Sequence, residues 1–365
     1  MIVEYKQQPF HITRYPNTNN RSLRAWNAAD EYLLDTVAGI NVKPESLIIY
    51  NDRFGFLSCL LSQHQPFTVM TYRSQEKACT INLEANKLTV DESHWLSPLA
   101  TMPTTVEYGL IRIPKSLELF RFYLYLLSQA IPEDGIVYCA FMTRHFSPRM
   151  LDAAGEFFEE VEQTKAWKKA RLLILKKKKP FQKIDFVHTI KMDDTRLLKQ
   201  YPGVFSANNI DYASQFLMEQ MQDVSGAHRI LDLASGNGLL AAFLRDKHPD
   251  AEIHLLEDFL LALESSRLNL VDPKSFFHYE DSLENLESDS FDLVISNPPF
   301  HFEYETNIEV ALSLFEEVAR CLKKEGSFQL VASLHLNYKT HLEKLFSSTI
   351  IIAENDKYVV YACRK

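Results

Sequence analysis

The chain is poor in cysteine, and its few cysteines are widely spaced. Its 365 residues include five cysteines, which form no CxxC pair and have no histidine cluster at zinc-binding spacing. Their neighbours in sequence are largely apolar, so we expect buried, reduced thiols and no metal site. These residues are Cys59, Cys79, Cys139, Cys321 and Cys363.

Long hydrophobic runs are also missing. No stretch approaches the roughly 20 apolar residues that a membrane-spanning helix needs. The N-terminal sequence MIVEYKQQPFHITRYP lacks the basic segment and apolar run of a secretory signal. We therefore expect a cytoplasmic protein without a membrane partner.

Positive charge is in short supply, since the net charge is −9. This balance argues against a protein that coats nucleic acid nonspecifically, because phosphate contacts need clustered Lys and Arg. One basic stretch lies at residues 165–179. It is either a solvated strand end and linker or a contribution to RNA phosphate binding, and both interpretations stay open.

The C-terminal half alternates strand and helix patterns, which is typical of a parallel sheet covered on both faces. The spacing predicts seven strands, of which the last two, STIIIAE and KYVVYACR, form an antiparallel hairpin. A long amphipathic helix is predicted over 307–324, and the string Lys-Lys-Glu-Gly at its end has the composition of a C-cap.

The N-terminal half repeats this rhythm more faintly, which indicates a duplication. Its first strand leads into NDRFGF, with a single glycine, and its fourth strand leads into RIPK. Because such a turn lacks the glycines that let a ligand approach the backbone, we predict that this half binds no cofactor. A chain of this length favours two domains, which we place at 1–176 and 195–365 with a linker at 177–194.

A glycine-rich turn follows the first strand of the C-terminal half. Its sequence is Asp232-Leu-Ala234-Ser-Gly236-Asn237-Gly238. Glycines admit a ligand to the backbone and the following helix presents free N–H groups, although a plain tight turn uses glycines too. One strand later, Glu257 and Asp258 offer carboxylates that can accept hydrogen bonds from ribose hydroxyls or begin a solvated helix.

The string Asn297-Pro298-Pro299-Phe300 ends the fourth strand counted from this turn. Ligands bind at that edge in open α/β folds. The Asn297 side-chain oxygen and the Pro298 carbonyl can accept hydrogen bonds from a planar NH₂ group, and Phe300 can stack on its ring. These residues predict an N-methyltransferase that uses S-adenosylmethionine (SAM), in which the substrate amine is itself the nucleophile.

Two further pairs are weaker candidates for cofactor contacts. Asp281 and Ser282 follow the third strand, where they either contact the adenine amine of SAM or cap a short helix. Phe205 and Asp211 lie before the first helix of the domain and can close the methionine side of the pocket.

These motifs, together with SSRLN and a closing KYVV, resemble the guanine-N2 methyltransferases that modify bacterial ribosomal RNA. The upstream strings RYPNTNNRSLRAWNAADEYLL and TKAWKKARL resemble the large-subunit (23S) members of that family. The resemblance covers nearly the whole chain. It implies two tandem Rossmann-like class I methyltransferase domains, with seven-stranded sheets, an antiparallel last strand and a degenerate N-terminal copy that helps bind RNA.

By position, the resemblance also assigns residue roles. It makes Asp232, Gly236, Asn237 and Gly238 the SAM turn, Glu257 the ribose carboxylate, Asp281 an adenine contact and 297–300 the catalytic loop. The chain departs from the family at Ala234-Ser235, where Gly-Cys is usual, and at Phe259-Leu260, where Ser-Pro is usual.

The leading hypothesis is thus SAM-dependent methylation of a guanine N2 amine in ribosomal RNA. Two alternatives stay open. The same loop geometry suits another planar amine, such as a DNA base or a protein glutamine. The extra Cβ at Ala234 also fits an RNA-binding protein that has lost catalysis.

Overall fold

The structure is a computed structural model that describes residues 1–365 except 19, 21, 194–195, 205–209, 299–300, 303–304 and 307; for 301–302 and 305–306 it describes the backbone alone. The chain divides into two compact units, Met1–Ile184 and Asp185–Lys365. No helix in the described ranges has the length and apolar character needed to cross a membrane.

Unit 1 has a small N-terminal hairpin and a seven-stranded sheet among its described residues. The strands are β1 (Ile2–Tyr5), β2 (Gln8–His11), β3 (Leu47–Tyr50), β4 (Phe67–Val69), β5 (Trp95–Leu96), β6 (Tyr108–Arg112), β7 (Ile136–Met142), β8 (Phe158–Gln163) and β9 (Ala170–Lys178). The helices are α1 (Ala28–Ala38), α2 (Phe56–Leu60), α3 (Arg73–Ala85), α4 (Leu117–Ala130) and α5 (Arg149–Phe157). The sheet order is β5-β4-β3-β6-β7-β9-β8.

Unit 2 repeats this arrangement. Its strands are β10 (His188–Lys191), β11 (Leu197–Gln200), β12 (Arg229–Leu233), β13 (Glu252–Glu257), β14 (Ser275–Tyr279), β15 (Phe291–Ser296), β16 (His301–Phe302), β17 (Glu305–Thr306), β18 (Leu322–Ser333), β19 (Ser348–Glu354) and β20 (Tyr358–Arg364). Its helices are α6 (Tyr212–Gln220), α7 (Leu239–Lys247), α8 (Leu260–Asn269), α9 (Glu309–Cys321) and α10 (Lys339–Leu345). The main sheet has the order β14-β13-β12-β15-β18-β20-β19.

The predicted fold class is confirmed in both units. Each sheet is parallel through its first five strands, and its last two strands are antiparallel to their neighbours. The central strands read as apolar runs because helices cover both faces, so that Ile230, Leu231 and Leu233 of β12 are almost fully buried. The five cysteines are buried and free, as predicted.

One boundary was predicted wrongly. The helix expected to reach residue 324 ends at Cys321, and Lys323–Gly326 belong to the start of β18. The reason lies in Leu322, which is fully buried and pairs with Phe291 next to a register shift between β15 and β18. Burying Leu322 from an extended backbone ends the helix, and no glycine C-cap is formed.

Regular structure reaches into both ends of the segment expected to be a linker. β9 runs to Lys178, and the β10–β11 hairpin begins at His188. Part of the basic stretch at 165–179 is engaged in ion pairs on unit 1. Lys168 pairs with Glu31 at 3.0 Å and Lys176 with Glu162 at 3.7 Å, while Lys177 pairs with Glu160.

Candidate active site

The glycine-rich turn of unit 2 spans residues 234–238 and joins β12 to α7. Three of its residues adopt the left-handed conformation, with φ of +58° at Ala234, +57° at Gly236 and +80° at Gly238. This backbone favours glycine, and a non-glycine residue costs roughly 1–2 kcal/mol there. Ala234 is therefore a strained position in the turn.

The two glycines of the turn serve different purposes. A Cβ at Gly238 would lie 2.8 Å from Leu270 Cδ1 and 2.9 Å from Ser266 Cβ, so this glycine allows α7 to pack against α8. A Cβ at Gly236 would meet no atom within 4 Å among the described residues. Gly236 therefore faces open space, as a cradle for a ligand requires.

Two carboxyl groups flank the turn. Glu257 accepts hydrogen bonds from the backbone N–H of Gly236 at 2.8 Å and of Phe259 at 2.9 Å. Asp232 is fully buried and accepts from the Ala241 N–H at 3.0 Å. Burial raises the pKa of Asp232 and that of Glu257 to about 7 each, and their hydrogen bonds oppose this shift.

The side chain of Asn237 forms hydrogen bonds within the protein. Its Nδ2 donates to Gln200 Oε1 at 2.8 Å, and its Oδ1 accepts from the Leu239 N–H at 3.2 Å. Its backbone carbonyl accepts from Asn269. Asn237 thus fixes the shape of the turn, and a role toward a cofactor through this side chain stays a prediction.

Several polar atoms at this edge of the sheet have no hydrogen-bond partner among the described residues. They are Asp232 Oδ1, Ser235 Oγ and Ser282 Oγ, and all three are buried. Buried polar groups are normally paired, so such atoms mark a place where a ligand or solvent completes the network. Together with the open space at Gly236, they fit a polar nucleoside cofactor.

Asp258, Asp281 and Ser282 lie at the same edge as the turn. The strand registers place Leu233 beside Leu256, and Glu257 beside Tyr279, so that the segments after β12, β13 and β14 leave the sheet together. The alternative role of Asp281 and Ser282 as a helix cap is wrong, because residues 281–286 form bends and turns instead of a helix.

Asn297 and Pro298 follow β15, whose Ser296 pairs with Leu233 of β12. The loop therefore leaves the sheet beside the glycine-rich turn, and Ser296 Oγ donates to the Leu233 carbonyl at 2.8 Å. Asn297 Nδ2 donates to Asp211 Oδ2 at 2.8 Å. The structure thus joins a predicted catalytic residue to a predicted cofactor contact.

Three predicted site residues, Phe205, Pro299 and Phe300, lie outside the described residues, and their roles stay predictions. Two hydrogen-bond partners of the site residues were not predicted. Ser214 accepts from Asn297 Nδ2 at 3.0 Å, and Gln200 holds Asn237. Their signal is weak, since Ser214 is the third residue after a helix cap and Gln200 ends a short strand. No group of His, Cys, Asp or Glu able to hold a metal occurs within the part of the chain that the structure describes.

The corresponding turn of unit 1 spans residues 51–55, and it shares the left-handed backbone at two of the three positions. Asn51 and Gly55 adopt φ of +60° and +71°, at the places of Ala234 and Gly238. Arg53 then takes the place of Gly236. Its guanidinium lies 3.7 Å from the ring centroid of Tyr72 and donates to Ser74 Oγ at 2.7 Å. Unit 1 thus has a long, packed side chain at the position where unit 2 has an open glycine.

The strand registers extend this correspondence. Val69 pairs with Tyr50 as Leu256 pairs with Leu233, which puts Met70 at the place of Glu257. Ile111 pairs with Tyr50 as Ser296 pairs with Leu233. Arg112 therefore stands where unit 2 has Asn297, and RIPK replaces NPPF. Unit 1 keeps the fold of the site without its carboxylate, its open glycine or its amide.

The strand order is that of the class I methyltransferase architecture, present here twice in tandem, and the glycine-rich turn and the NPPF sequence belong to unit 2. Residues 1–180 match the family model described as the RLMG N-terminal domain, and residues 195–362 match the methyltransferase small domain. A ribosomal RNA large subunit methyltransferase G of Pseudoalteromonas translucida is 30% identical over 377 residues, covering 100% of this chain and 98% of the relative. The chain belongs to the ribosomal RNA large subunit methyltransferase G family.

Two further similarities agree with this assignment. The protein of the same name from Yersinia enterocolitica is 31% identical over 368 residues, with 97% of this chain and 91% of the relative covered. In structure, the chain is similar to a T. thermophilus 16S rRNA N2 G1207 methyltransferase, RsmC, solved with AdoMet and guanosine. The TM-score is 0.79 at 22% identity, with 100% of this chain and 97% of that chain covered. This likeness supports the fold.

Proposed function

We propose that this protein is a SAM-dependent methyltransferase that modifies the exocyclic N2 amine of a guanine in 23S ribosomal RNA. The observation that carries the proposal is Asn297, which is held by Asp211 and Ser214 at the sheet edge beside the Gly236 turn. The large-subunit target follows the names of the relatives, and the guanine amine follows the solved neighbour.

The residues around the turn have defined tasks in this proposal. Glu257 accepts hydrogen bonds from the ribose hydroxyls of SAM, and Gly236 gives SAM access to the backbone. Asp281 and Ser282 would hold the adenine end of SAM, and Phe205, as predicted from sequence, would hold the methionine end. When bound, SAM supplies a methyl group made electrophilic by its positively charged sulfur.

The substrate amine needs an acceptor that holds it in place and frees its lone pair from the ring. Asn297 Oδ1 and the Pro298 carbonyl accept hydrogen bonds from the two amine hydrogens, and Phe300 stacks on the base. With the amine held in this way, its lone pair would be directed at the methyl group that bound SAM supplies, and the methyl–sulfur electron pair would leave with the sulfur. The methylated amine then loses a proton to water, so no protein base is required.

Unit 1 contributes RNA affinity instead of chemistry. Its equivalent edge carries Arg53, Arg112 and Lys115 where unit 2 has Gly236, Asn297 and Phe300. Cationic side chains favour phosphates, and because Arg112 is ion-paired with Asp30, a phosphate at that residue would compete with this carboxylate. We infer that the two domains follow the compact units, Met1–Ile184 and Asp185–Lys365, and that the protein acts in the cytoplasm.

The test is methyl transfer from tritium-labelled SAM to rRNA isolated from a strain that lacks this protein. We expect label in 23S rRNA and, after digestion to nucleosides, in N2-methylguanosine. The Asn297→Ala variant should lose turnover while its SAM affinity stays nearly unchanged, because the side chain contacts the amine and not the cofactor. Label only in DNA, in protein or in another nucleoside would refute the proposed substrate. A protein that binds rRNA without binding SAM would be the inactive RNA-binding form.

A further inference from the structure

The contact between Asn297 and the start of α6 joins two segments far apart in sequence. Asp211 is the N-cap of α6, and its Oδ2 accepts from the Ser214 backbone N–H at 3.0 Å. The same oxygen accepts from Asn297 Nδ2 at 2.8 Å, and Ser214 Oγ accepts from that nitrogen at 3.0 Å. The Asn297 amide nitrogen therefore donates to two acceptors at the start of α6.

These two hydrogen bonds determine the orientation of the Asn297 amide. A carboxylate oxygen is only an acceptor, so the Asn297 atom facing Asp211 must be the NH₂ nitrogen. The Asn297 Oδ1 then lies on the opposite side, and it has no hydrogen-bond partner among the described residues. An amide rotated by 180° would set two acceptors against each other and leave the substrate amine facing a donor.

We propose that Asp211 is a positioning residue for methyl transfer, acting through Asn297 instead of binding the cofactor. The inference rests on the proposed function. The carboxylate holds the amide so that Oδ1 accepts from the substrate amine. Its negative charge also polarises the amide toward Oδ1, because hydrogen bonds in a chain strengthen one another. The positive charge that develops on the substrate amine during methyl transfer is stabilised by the same chain of hydrogen bonds, from the amine through Asn297 to Asp211.

Unit 1 contains the same connection with different chemistry. Arg112, at the place of Asn297, forms an ion pair of 2.6 Å with Asp30 and a hydrogen bond of 3.4 Å with Asn27, the N-cap of α1. In unit 1 the end of β6 is thus linked to the N-terminus of α1, as the residue after β15 is linked to the N-terminus of α6 in unit 2. A purely structural role for Asp211 is the competing explanation, and the experiment must separate the two.

Two substitutions at Asp211 make this separation. Serine caps a helix about as well as aspartate, but its hydroxyl is one bond shorter and does not reach Asn297. Asparagine caps equally well and keeps a carbonyl oxygen at the same distance without the charge. The control Asp91→Ser makes the same change in unit 1, at the N-cap of the 3₁₀ helix Glu92–His94, where Asp91 accepts from the Ser93 N–H at 3.0 Å.

We expect Asp211→Ser to lower kcat on rRNA by about 10–100-fold, the loss typical of a reacting group displaced by about 1 Å. SAM affinity from calorimetry should stay within about twofold, because the proposal places no cofactor on Asp211. Asp211→Asn should recover a large part of the lost kcat. Thermal unfolding of both variants should match that of Asp91→Ser, which keeps wild-type kcat.

Three outcomes would overturn the role of Asp211. A raised SAM dissociation constant with wild-type kcat at saturating SAM would make Asp211 a cofactor ligand. Equal losses of kcat and melting temperature in both Asp211 variants would make it a structural cap. Wild-type kcat in Asp211→Ser would remove the role altogether. A wild-type protein that methylates no rRNA would instead refute the proposed function, and with it the catalytic role of Asp211.

Discussion

The backbone N–H of Gly236 donates a hydrogen bond of 2.8 Å to Oε2 of Glu257, across two neighbouring parallel strands. The carboxylate therefore has two tasks, because it shapes the glycine-rich turn and is also the group expected to hold the SAM ribose. Its Oε1 accepts from the Phe259 N–H, and a carboxylate has about four lone-pair sites, so acceptor capacity remains for a ligand.

Glu257→Gln should weaken SAM binding strongly. The amide NH₂ must face either the Gly236 N–H or the Phe259 N–H, donor against donor, and the charge on the ribose acceptor is lost. Hydrogen bonds to a charged group contribute about 1.5–3 kcal/mol, so we expect the dissociation constant to rise roughly 10- to 150-fold in calorimetry. Glu252→Gln, at the other end of β13, is the matched control and should keep wild-type affinity. Equal affinities of both variants would remove Glu257 from the cofactor site.

The affinity for SAM should also depend on pH near neutrality. Burial raises the pKa of Glu257 to about 7, so the free protein takes up a proton there as the pH falls through 7. A protonated carboxyl loses acceptor capacity for the ribose, and SAM binding must then release the proton. We expect the dissociation constant to rise as pH drops from 8 to 6, by at most about tenfold per pH unit below the pKa for one linked proton.

Calorimetry in buffers of different ionisation enthalpy measures that proton release directly. In Glu257→Gln the pH slope should flatten, leaving the part linked to Asp232, whose pKa is also about 7. A wild-type dissociation constant that is constant from pH 6 to 8 would show that neither carboxyl is linked to the cofactor.

Much of this site followed from local sequence. The glycine-rich turn and the NPPF loop each end an apolar strand, and the strand pattern alone put them on one edge of the sheet. The Asp211–Asn297 contact was not predictable, because the two residues are 86 positions apart and nothing in either segment encodes the other. Helix α1 went unnoticed despite a capping box, Asn27 with Asp30, that its sequence displays.

The two glycines of the turn should separate binding from stability. Gly238→Ala forces a Cβ to within 2.9 Å of Ser266 Cβ, which cannot move without α8, so we expect a loss of about 1–3 kcal/mol beyond the left-handed backbone strain. Gly236→Ala meets no neighbour and should lose only the strain, yet SAM affinity should fall as the Cβ enters the open face. Gly226→Ala measures the strain alone, because Gly226 has φ of +78° and also faces open space. Chemical denaturation compares the stabilities of the three variants. Wild-type SAM affinity in Gly236→Ala would contradict the role of Gly236 in admitting SAM to the backbone.

Ala234→Gly should not destabilise the protein, although glycine normally does. Relief of the left-handed strain at φ +58° gains about 1–2 kcal/mol, and the added freedom of the unfolded chain offsets about 0.4–1 kcal/mol of it. A small net stabilisation is expected in urea unfolding, together with equal or tighter SAM binding. An unfolding midpoint below that of the wild type would mean that the Ala234 methyl makes packing contacts that matter more than its backbone strain.

The chain should bind one SAM molecule, not two, although it contains the methyltransferase fold twice. In unit 1, Arg53 stands at the place of Gly236, and Met70 stands at the place of Glu257, the carboxylate expected to hold the SAM ribose. An arginine at that point also repels the sulfonium charge of SAM. Titration of the wild-type protein with SAM should therefore give a stoichiometry near one. The Gly236→Ala substitution should weaken binding at this site, and no second SAM site should be detected. A second site that survives in Gly236→Ala would place a cofactor in unit 1 and overturn this assignment.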